Sequence, residues 1–192
     1  MAALRASVRP DRPARRPLPR AYLIVAAVLP LVLLAIYVTL LLNRPAPPGP
    51  RVGAPAPDFA LADLDGNPVR LADFRGRPVI LNFWASWCSP CVAEFPLLKQ
   101  ALQEHADQGL AVIGVVYQDN SESARGFMQR MGADWPSVMD PDGRVAQAYA
   151  LYGPPQTYFI GRDGTLVNQS IGQFTAEQLD QKIGAIIGKE QP

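Results

Sequence analysis

The sequence predicts an α/β domain of three layers, with helices on both faces of a sheet. Two nearly continuous apolar runs, 78–84 and 110–117, read as strands covered on both sides. Segments with apolar residues at helical spacing follow each run. A strand pair divided by Gly161-Arg162-Asp163-Gly164, then an amphipathic helix, close the chain. A length of 192 residues allows one such domain with appendages.

Residues 1–20 hold six arginines, several prolines and one acid, Asp11, and read as a disordered basic tail. The alternative is a nucleic-acid-binding arm, but the tail has no aromatic residue. A net charge of +1 for the whole chain gives no further reason to invoke nucleic acid. Residues 21–42 follow without a single charge. As a helix they reach about 33 Å, enough for a bilayer core. Pro30 lies inside this run, which membrane helices tolerate. The arginines before it predict a cytoplasmic N-terminus and an outward-facing remainder. A cleaved signal peptide would have an apolar region of roughly 7–15 residues and a small-residue cleavage site. Leu40-Leu41-Leu42-Asn43-Arg44-Pro45 offers no such site, so a single-pass, uncleaved cell-membrane anchor is expected. Six prolines in 43–57 predict a stiff, extended linker, which leaves 58–192 as the folded domain.

Within the domain, 59–61 and 69–71 flank the turn signal Asp65-Gly66-Asn67-Pro68 and read as a short hairpin. Residues 72–77 form a connecting turn. The run 78–84 is the central strand, with Asn82 as its polar exception. After Cys91 the residues Val92, Phe95, Leu98, Ala101 and Leu102 keep helical spacing. Pro96 lies within that helix and lacks the N–H for the Val92 carbonyl, so a kink is expected. His105, among Gln103, Glu104 and Asp107, reads as solvated surface. After the strand at 110–117 come a helix at 121–131 with Ser121 as N-cap, a short strand at 136–139 and a short helix at 144–149. Residues 156–160 and 166–171 are the closing strand pair. Thr175 caps a last helix with Leu179, Ile183 and Ile186 on one face, slightly weakened by Gly184.

Cys88 and Cys91 are the only cysteines, and they stand where a strand gives way to a helix. A C-x-x-C at such a junction reads as a redox pair. Cys88 falls at or just before the first helical turn, where free N–H groups and the helix dipole stabilise a thiolate. Thiols so placed ionise at roughly pH 3.5–7.5. Pro90 suits a first turn, and Cys91 shares a helix face with Cys88. Cys88 is expected to be the nucleophile and Cys91 the resolving thiol. A closed zinc site needs four ligands. Two cysteines and the lone His105 fall short, so no metal is expected. A merely structural disulfide over so short a loop removes little chain entropy and has no use for Trp87 or Pro90.

Glu94, three residues after Cys91, can reach back toward the thiols. In partly apolar surroundings its pKa would rise toward working pH, which suits a group that tunes or relays the Cys91 proton. The alternative is a solvated glutamate that favours the first turns. Trp84 and Trp87 would flank the pair as an apolar landing surface, against the alternative of core packing. Ser89, Pro90, Pro154 and Gln156 are expected to meet the substrate with them.

Trp87-Cys88-Ser89-Pro90-Cys91, preceded by Asn82-Phe83-Trp84-Ala85, resembles the active site of the thioredoxin superfamily. The pattern is most similar to its membrane-tethered, extracytoplasmic TlpA/ResA/CcmG branch. The segment from Val52 through Asp58-Phe59 resembles the entry to such domains, and the similarity runs from about residue 52 to the C-terminus. It implies a thioredoxin-like three-layer fold with an N-terminal hairpin and a central helix–strand insertion. Aligned on Gly153-x-Pro155-x-Thr157, it implies that Pro155 is a cis-proline facing the cysteines. Such a proline leaves the backbone of its neighbour to pair with an extended substrate, and Pro154 adds constraint. An acid at the position of Glu94 recurs in the branch. Asn82 departs from plain thioredoxins, which have a buried, proton-transferring aspartate at the matching place; that role is reassigned or lost here. Gln156 departs from relatives that carry an acid there and are proposed to handle apocytochromes, which weakens that substrate for this chain.

The reading that follows is a membrane-anchored, extracytoplasmic disulfide reductase. Its partners would be protein thiols and disulfides, apocytochrome c among them during cytochrome c maturation, with electrons from a membrane donor. A disulfide-forming oxidant is the second reading, because C-x-x-C proteins span roughly −270 to −120 mV and Ser89-Pro90 does not place the chain on that scale. A tethered chaperone for haem or apocytochrome, its thiols incidental, is the third. A peroxidase is weaker, with no peroxidatic motif outside the C-x-x-C. No internal repeat or phosphate-cradling glycine pattern appears, and no cofactor is expected.

Overall fold

The computed structural model describes residues 20–42 and 49–188. The chain divides into two units, Met1–Pro45 and Ala46–Pro192. In the first, helix α1 covers Arg20–Leu42 with Pro30 inside it. Its side chains from Val28 to Leu40 are exposed. Among the described residues, no helix is long and apolar enough to cross a membrane. The anchor predicted for 21–42 thus coincides with a helix, without a crossing being established. The predicted basic tail, up to residue 19, and positions 43–48 of the predicted linker lie outside the described residues.

The second unit opens with the hairpin. Strands β1, Ala60–Ala62, and β2, Pro68–Arg70, pair antiparallel with Ala60 opposite Arg70. Asp63 folds the turn between them, its Oδ1 accepting the N–H groups of Asp65 at 2.9 Å and Asn67 at 2.8 Å. Leu71–Phe74 is a 3₁₀ helix rather than the plain turn expected. Then come β3, Val79–Trp84, and α2, Ser89–Glu104, which runs unbroken through Pro96. Strand β4 is Ala111–Val116, α3 is Ser121–Met131, β5 is Ser137–Met139 and α4 is Arg144–Ala148. The chain closes with β6, Gln156–Ile160, β7, Leu166–Ile171, and α5, Ala176–Ile187. One cap differs from expectation. Asn120, not Ser121, caps α3, because its Oδ1 reaches the Ser123 N–H at 2.8 Å. Thr175 caps α5 as predicted, in a reciprocal capping box with Gln178.

The five-stranded sheet has the order β5-β4-β3-β6-β7. Strands β3, β4 and β5 are parallel, while β6 runs antiparallel to β3 and β7 to β6. The two-residue period of a strand sorts β3 cleanly. Ile80 and Trp84 join the core that holds Cys91 and Phe95 of α2, Phe127 of α3 and Ile183 of α5. Val79, Leu81 and Phe83 join the core under the hairpin and α4, with Val69, Val145 and Tyr149. These are the three layers, and β3 is fully buried along its length. Earlier segments cover parts of both outer strands. Leu64 N–H donates to the Ser137 carbonyl at 2.9 Å beside a bridge from Asp63 to Val138. On the other side, Gly53 N–H meets the Leu166 carbonyl at 2.8 Å, and Leu166 N–H meets Ala54 at 2.9 Å.

Trp84 packs into this core. Its ring stacks on Phe127 at 5.1 Å and 26° and meets the edge of Phe95 at 5.2 Å. The indole has room because Gly114 stands opposite Asn82 on β4. A Cβ on Gly114 would collide with the Trp84 indole nitrogen and with Ser137 Oγ. Gly114→Ala is predicted to destabilise the domain by about 1–3 kcal/mol through overpacking. Urea unfolding followed by tryptophan fluorescence checks this, and an unchanged midpoint would refute it.

Candidate active site

Strand β3 ends, the chain turns at 85–87, and α2 begins. Cys88 is the N-cap of α2, with extended backbone at φ −81° and ψ 99°. Its Sγ accepts the Cys91 N–H at 3.3 Å, as a capping oxygen would. Pro90 stands in the first turn, where its missing N–H costs nothing. Cys88 and Cys91 are joined in a disulfide with Cα atoms 5.4 Å apart. Cys88 keeps 3% of its surface open and Cys91 none. The first cysteine is thus the more open, through a narrow aperture. The turn before it is held from β4's exit: Ser86 N–H donates to Asp119 Oδ2 at 2.7 Å, and Trp87 Nε1 to the Gln118 carbonyl at 3.1 Å.

Glu94 lies one turn past Cys91 and is entirely buried. It is not on the solvated helix face. Asn82 Nδ2 donates to Oε2 and the Phe174 backbone N–H donates to Oε1, each at 3.3 Å. Burial pushes its pKa up to about 7, against the pull of these two hydrogen bonds. No charged side chain contributes to the shift. The result is a carboxyl that exchanges a proton near neutrality, on the helix that carries both sulfurs.

The Pro154–Pro155 peptide bond is cis. Phe83 lies opposite Gln156 in the antiparallel register, so Pro155 falls level with Trp84, next to the turn that carries Cys88. Strand parity puts Pro155 on the face of Thr157 and Asn82, the α2 side of the sheet. Pro155 is buried and its carbonyl accepts the Gly172 N–H at 2.9 Å. Pro154 is half-buried.

Two expected substrate contacts do not stand. Trp84 is a core residue with no exposed surface, because strand alternation turns it onto Phe95 and Phe127. Gln156 is buried on the opposite face, where its Nε2 donates to Tyr158 Oη and its Oε1 accepts the Tyr152 N–H at 3.0 Å. Trp87, Ser89 and Pro90 are at the surface as expected, and Trp87 is 56% exposed. Tyr152 and Ile171, beside the cis-proline segment, are exposed by 83% and 58% and were not anticipated. Tyr152 had a signal, since a large aromatic ring directly before Gly-Pro-Pro has no core position to fill. Asp119 and Thr157 act through pairing across the fold, which local pattern does not reveal. Among the described residues, no cluster of three or more His, Cys, Asp or Glu is placed to hold a metal.

Residues 52–169 match the model of the AhpC/TSA family. The thiol-disulfide oxidoreductase ResA of Geobacillus thermodenitrificans is 35% identical over 135 residues, which cover 70% of this chain and 78% of that protein. The protein of the same name from Bacillus subtilis is 32% identical over 134 residues, 70% and 75% of the two chains. Among solved structures, the candidate thiol:disulfide interchange protein DsbE from Chlorobium tepidum superposes with a TM-score of 0.69 at 34% identity. That match covers 73% of this chain and all of the other.

Glu94 makes stability depend on pH. Its usual value is 4.5 and burial lifts it to about 7. Between these values the folded chain keeps a proton that the unfolded chain has lost. Stability therefore falls as pH rises through this window, by about 3 kcal/mol in all, and the effect levels off above it. Urea midpoints of the oxidised protein across this range should fall for the wild type and lose that component in Glu94→Gln. Parallel pH profiles for the two proteins would remove Glu94 as the source.

Proposed function

The chain belongs to the AhpC/TSA family, and from that premise we propose that it catalyses thiol–disulfide exchange outside the cytoplasm, reducing the disulfides of client proteins. The observation that carries this reading is the Cys88–Cys91 pair at the head of α2, with a buried carboxyl one turn below. In the reduced protein the Cys88 thiolate attacks one sulfur of a client disulfide. A bond forms between Cys88 and the client, and the other client sulfur leaves as a thiolate. The Cys91 thiolate then attacks Cys88 Sγ, releases the second client thiolate and leaves the Cys88–Cys91 disulfide. The client gains two electrons and this chain loses two, which a donor must restore.

Each part of the site has a task in this scheme. The amides of the first turn of α2 stabilise the Cys88 thiolate, and the Cys91 N–H already points at Sγ. Glu94 takes the proton that Cys91 must lose before it can attack; its value of about 7 lets it accept near neutrality and give the proton back. Trp87 supplies an apolar surface beside the aperture, and Ser89 and Pro90 form its rim. The client's extended backbone lies along the Pro154–Pro155 segment. Pro154 has no N–H, so it offers such a client only its carbonyl.

We infer the setting from the sequence of the N-terminal residues. The uncharged run 21–42 is the membrane anchor, the arginines before it stay in the cytoplasm, and the domain works on the outer side. Of the Pro-rich stretch expected as a linker, residues 53–57 pack on the domain. The similarity to proteins named thiol-disulfide oxidoreductase ResA supports the exchange reaction, and the resemblance to the TlpA/ResA/CcmG branch implies apocytochrome c as a client, with electrons from a membrane partner.

Cys91→Ser is predicted to trap clients on Cys88 as mixed disulfides, identifiable by mass spectrometry after non-reducing separation. Cys88→Ser/Cys91→Ser should trap none. Equal recovery of partners by both variants would favour a binding protein over an exchange enzyme. Equilibration with glutathione tests the direction. A potential near about −270 mV supports a reductant, and one near about −120 mV overturns it in favour of an oxidant.

A further inference from the structure

Three polar side chains from three elements meet on the α2 side of the sheet. Asn82 of β3 and Thr157 of β6 are direct cross-strand partners, with Asn82 Nδ2 2.8 Å from Thr157 Oγ1. The same Nδ2 is 3.3 Å from Glu94 Oε2. All three residues are buried. The amide nitrogen therefore serves two acceptors, while Asn82 Oδ1, also buried, has no partner among the described residues.

A primary amide has two nearly isosteric orientations, related by a half-turn about Cβ–Cγ. The observed one offers N–H groups to Glu94 and Thr157, which suits an ionised carboxylate. In the other, Oδ1 faces the same two neighbours. There it can accept the O–H of a neutral Glu94, and the Thr157 hydroxyl can switch from acceptor to donor. We propose that Asn82 is a positioning residue whose amide orientation follows the proton on Glu94 and passes that state to Thr157, two residues beyond Pro155.

This rests on Glu94 as the acceptor of the Cys91 proton. In that step one S–H bond breaks and one O–H bond forms. The negative charge moves from the carboxylate to the sulfur, and no further reactant is needed. Asn82 loses an ionised acceptor and gains a hydroxyl donor, so the turned amide is the better partner afterwards.

The other ionisable groups around this face are engaged elsewhere. At the head of α2, Cys88 and Cys91 do not titrate while joined, and Lys99 and Glu104 of α2 are exposed. From α5, Lys182 Nζ is bound to Asn168 Oδ1 at 2.7 Å and to the Gln169 carbonyl at 3.0 Å, and Glu177 and Asp180 are exposed. From α3, Arg125 reaches the Leu64 carbonyl and Arg130 lies over the Phe127 ring. Strand β3 carries no ionisable side chain, and Tyr158 of β6 points to the other face, where it bonds the Tyr149 carbonyl. The Asn82 amide and the Phe174 N–H are thus the groups that answer the Glu94 charge.

The test is NMR on the oxidised full-length protein in detergent, where the cysteines are silent. Carboxyl carbon signals of labelled glutamate give the Glu94 midpoint, assigned by its loss in Glu94→Gln. Asn82→Leu removes a donor to the carboxylate and should raise that midpoint by about one to two pH units. Thr157→Val should raise it by less, and keeps the test available if Asn82→Leu fails to fold. In the wild type, the Asn82 side-chain amide signals should titrate with the Glu94 midpoint. Coincident midpoints in the folded variants, or Asn82 amide signals that ignore the titration, overturn the coupling. The relay itself is read separately, from the pH profile of Cys91 alkylation in the reduced Cys88→Ser protein. If Glu94→Gln leaves that profile unmoved while the NMR shifts hold, the coupling stands and the relay fails.

Discussion

The site depends on the register of the central strand. On β3, Asn82 and Trp84 face α2 while Leu81 and Phe83 face the hairpin and α4. A slip of one residue would exchange the two sets. The Glu94 carboxyl would then face Leu81 or Phe83 in place of an amide, and the Trp84 indole would leave its place beside Phe95 and Phe127. Pairing with β4 and β6 on both sides holds β3 in place, and the same pairing with β6 brings Thr157 opposite Asn82. One alignment of backbones therefore sets both the hydrophobic packing under the cysteines and the polar contacts beside them.

Burial is what raises the proton affinity of Glu94. A carboxylate removed from water without a cation is held only by neutral dipoles, here one side-chain amide and one backbone amide. Those contacts suffice to keep the residue in place, and they do not suffice to hold its charge at the ordinary pKa. The sulfurs are screened in a related way. Cys91 is closed off and Cys88 opens by a few per cent, yet exposed aromatic and aliphatic surface at Trp87, Tyr152 and Ile171 lies along the same end of the sheet.

Much of the fold was legible because β-strands buried on both faces leave nearly unbroken apolar runs, as at 79–84 and 111–116. The cysteine pair was legible for a different reason, since a cap position and a first-turn proline are local features. Glu94 was legible as a neighbour of the cysteines, although only tertiary packing shows that no water reaches it. Closeness in sequence to the cysteines and to Pro155 does not bring Trp84 and Gln156 to the surface. Strand alternation sends both side chains inward, to opposite faces. Thr157 and Asp119 could not be singled out, because their partners Asn82 and Ser86 are 75 and 33 residues away and met only through sheet formation. The cap of α3 moved by one residue for a local reason, as Asn120 Oδ1 accepts the Ser123 N–H.

The covers on the two outer strands have a consequence for the growing polypeptide. Residues 53–55 shield the start of β7, and residues 63–64 shield β5. Both covers are made before the strands they protect. As ribosomal synthesis brings out β5 and later β7, each emerges into a neighbourhood where its guard is already waiting. Unpaired backbone at the rim of the sheet, the usual starting point for chains sticking together, is thereby short-lived from the moment it appears.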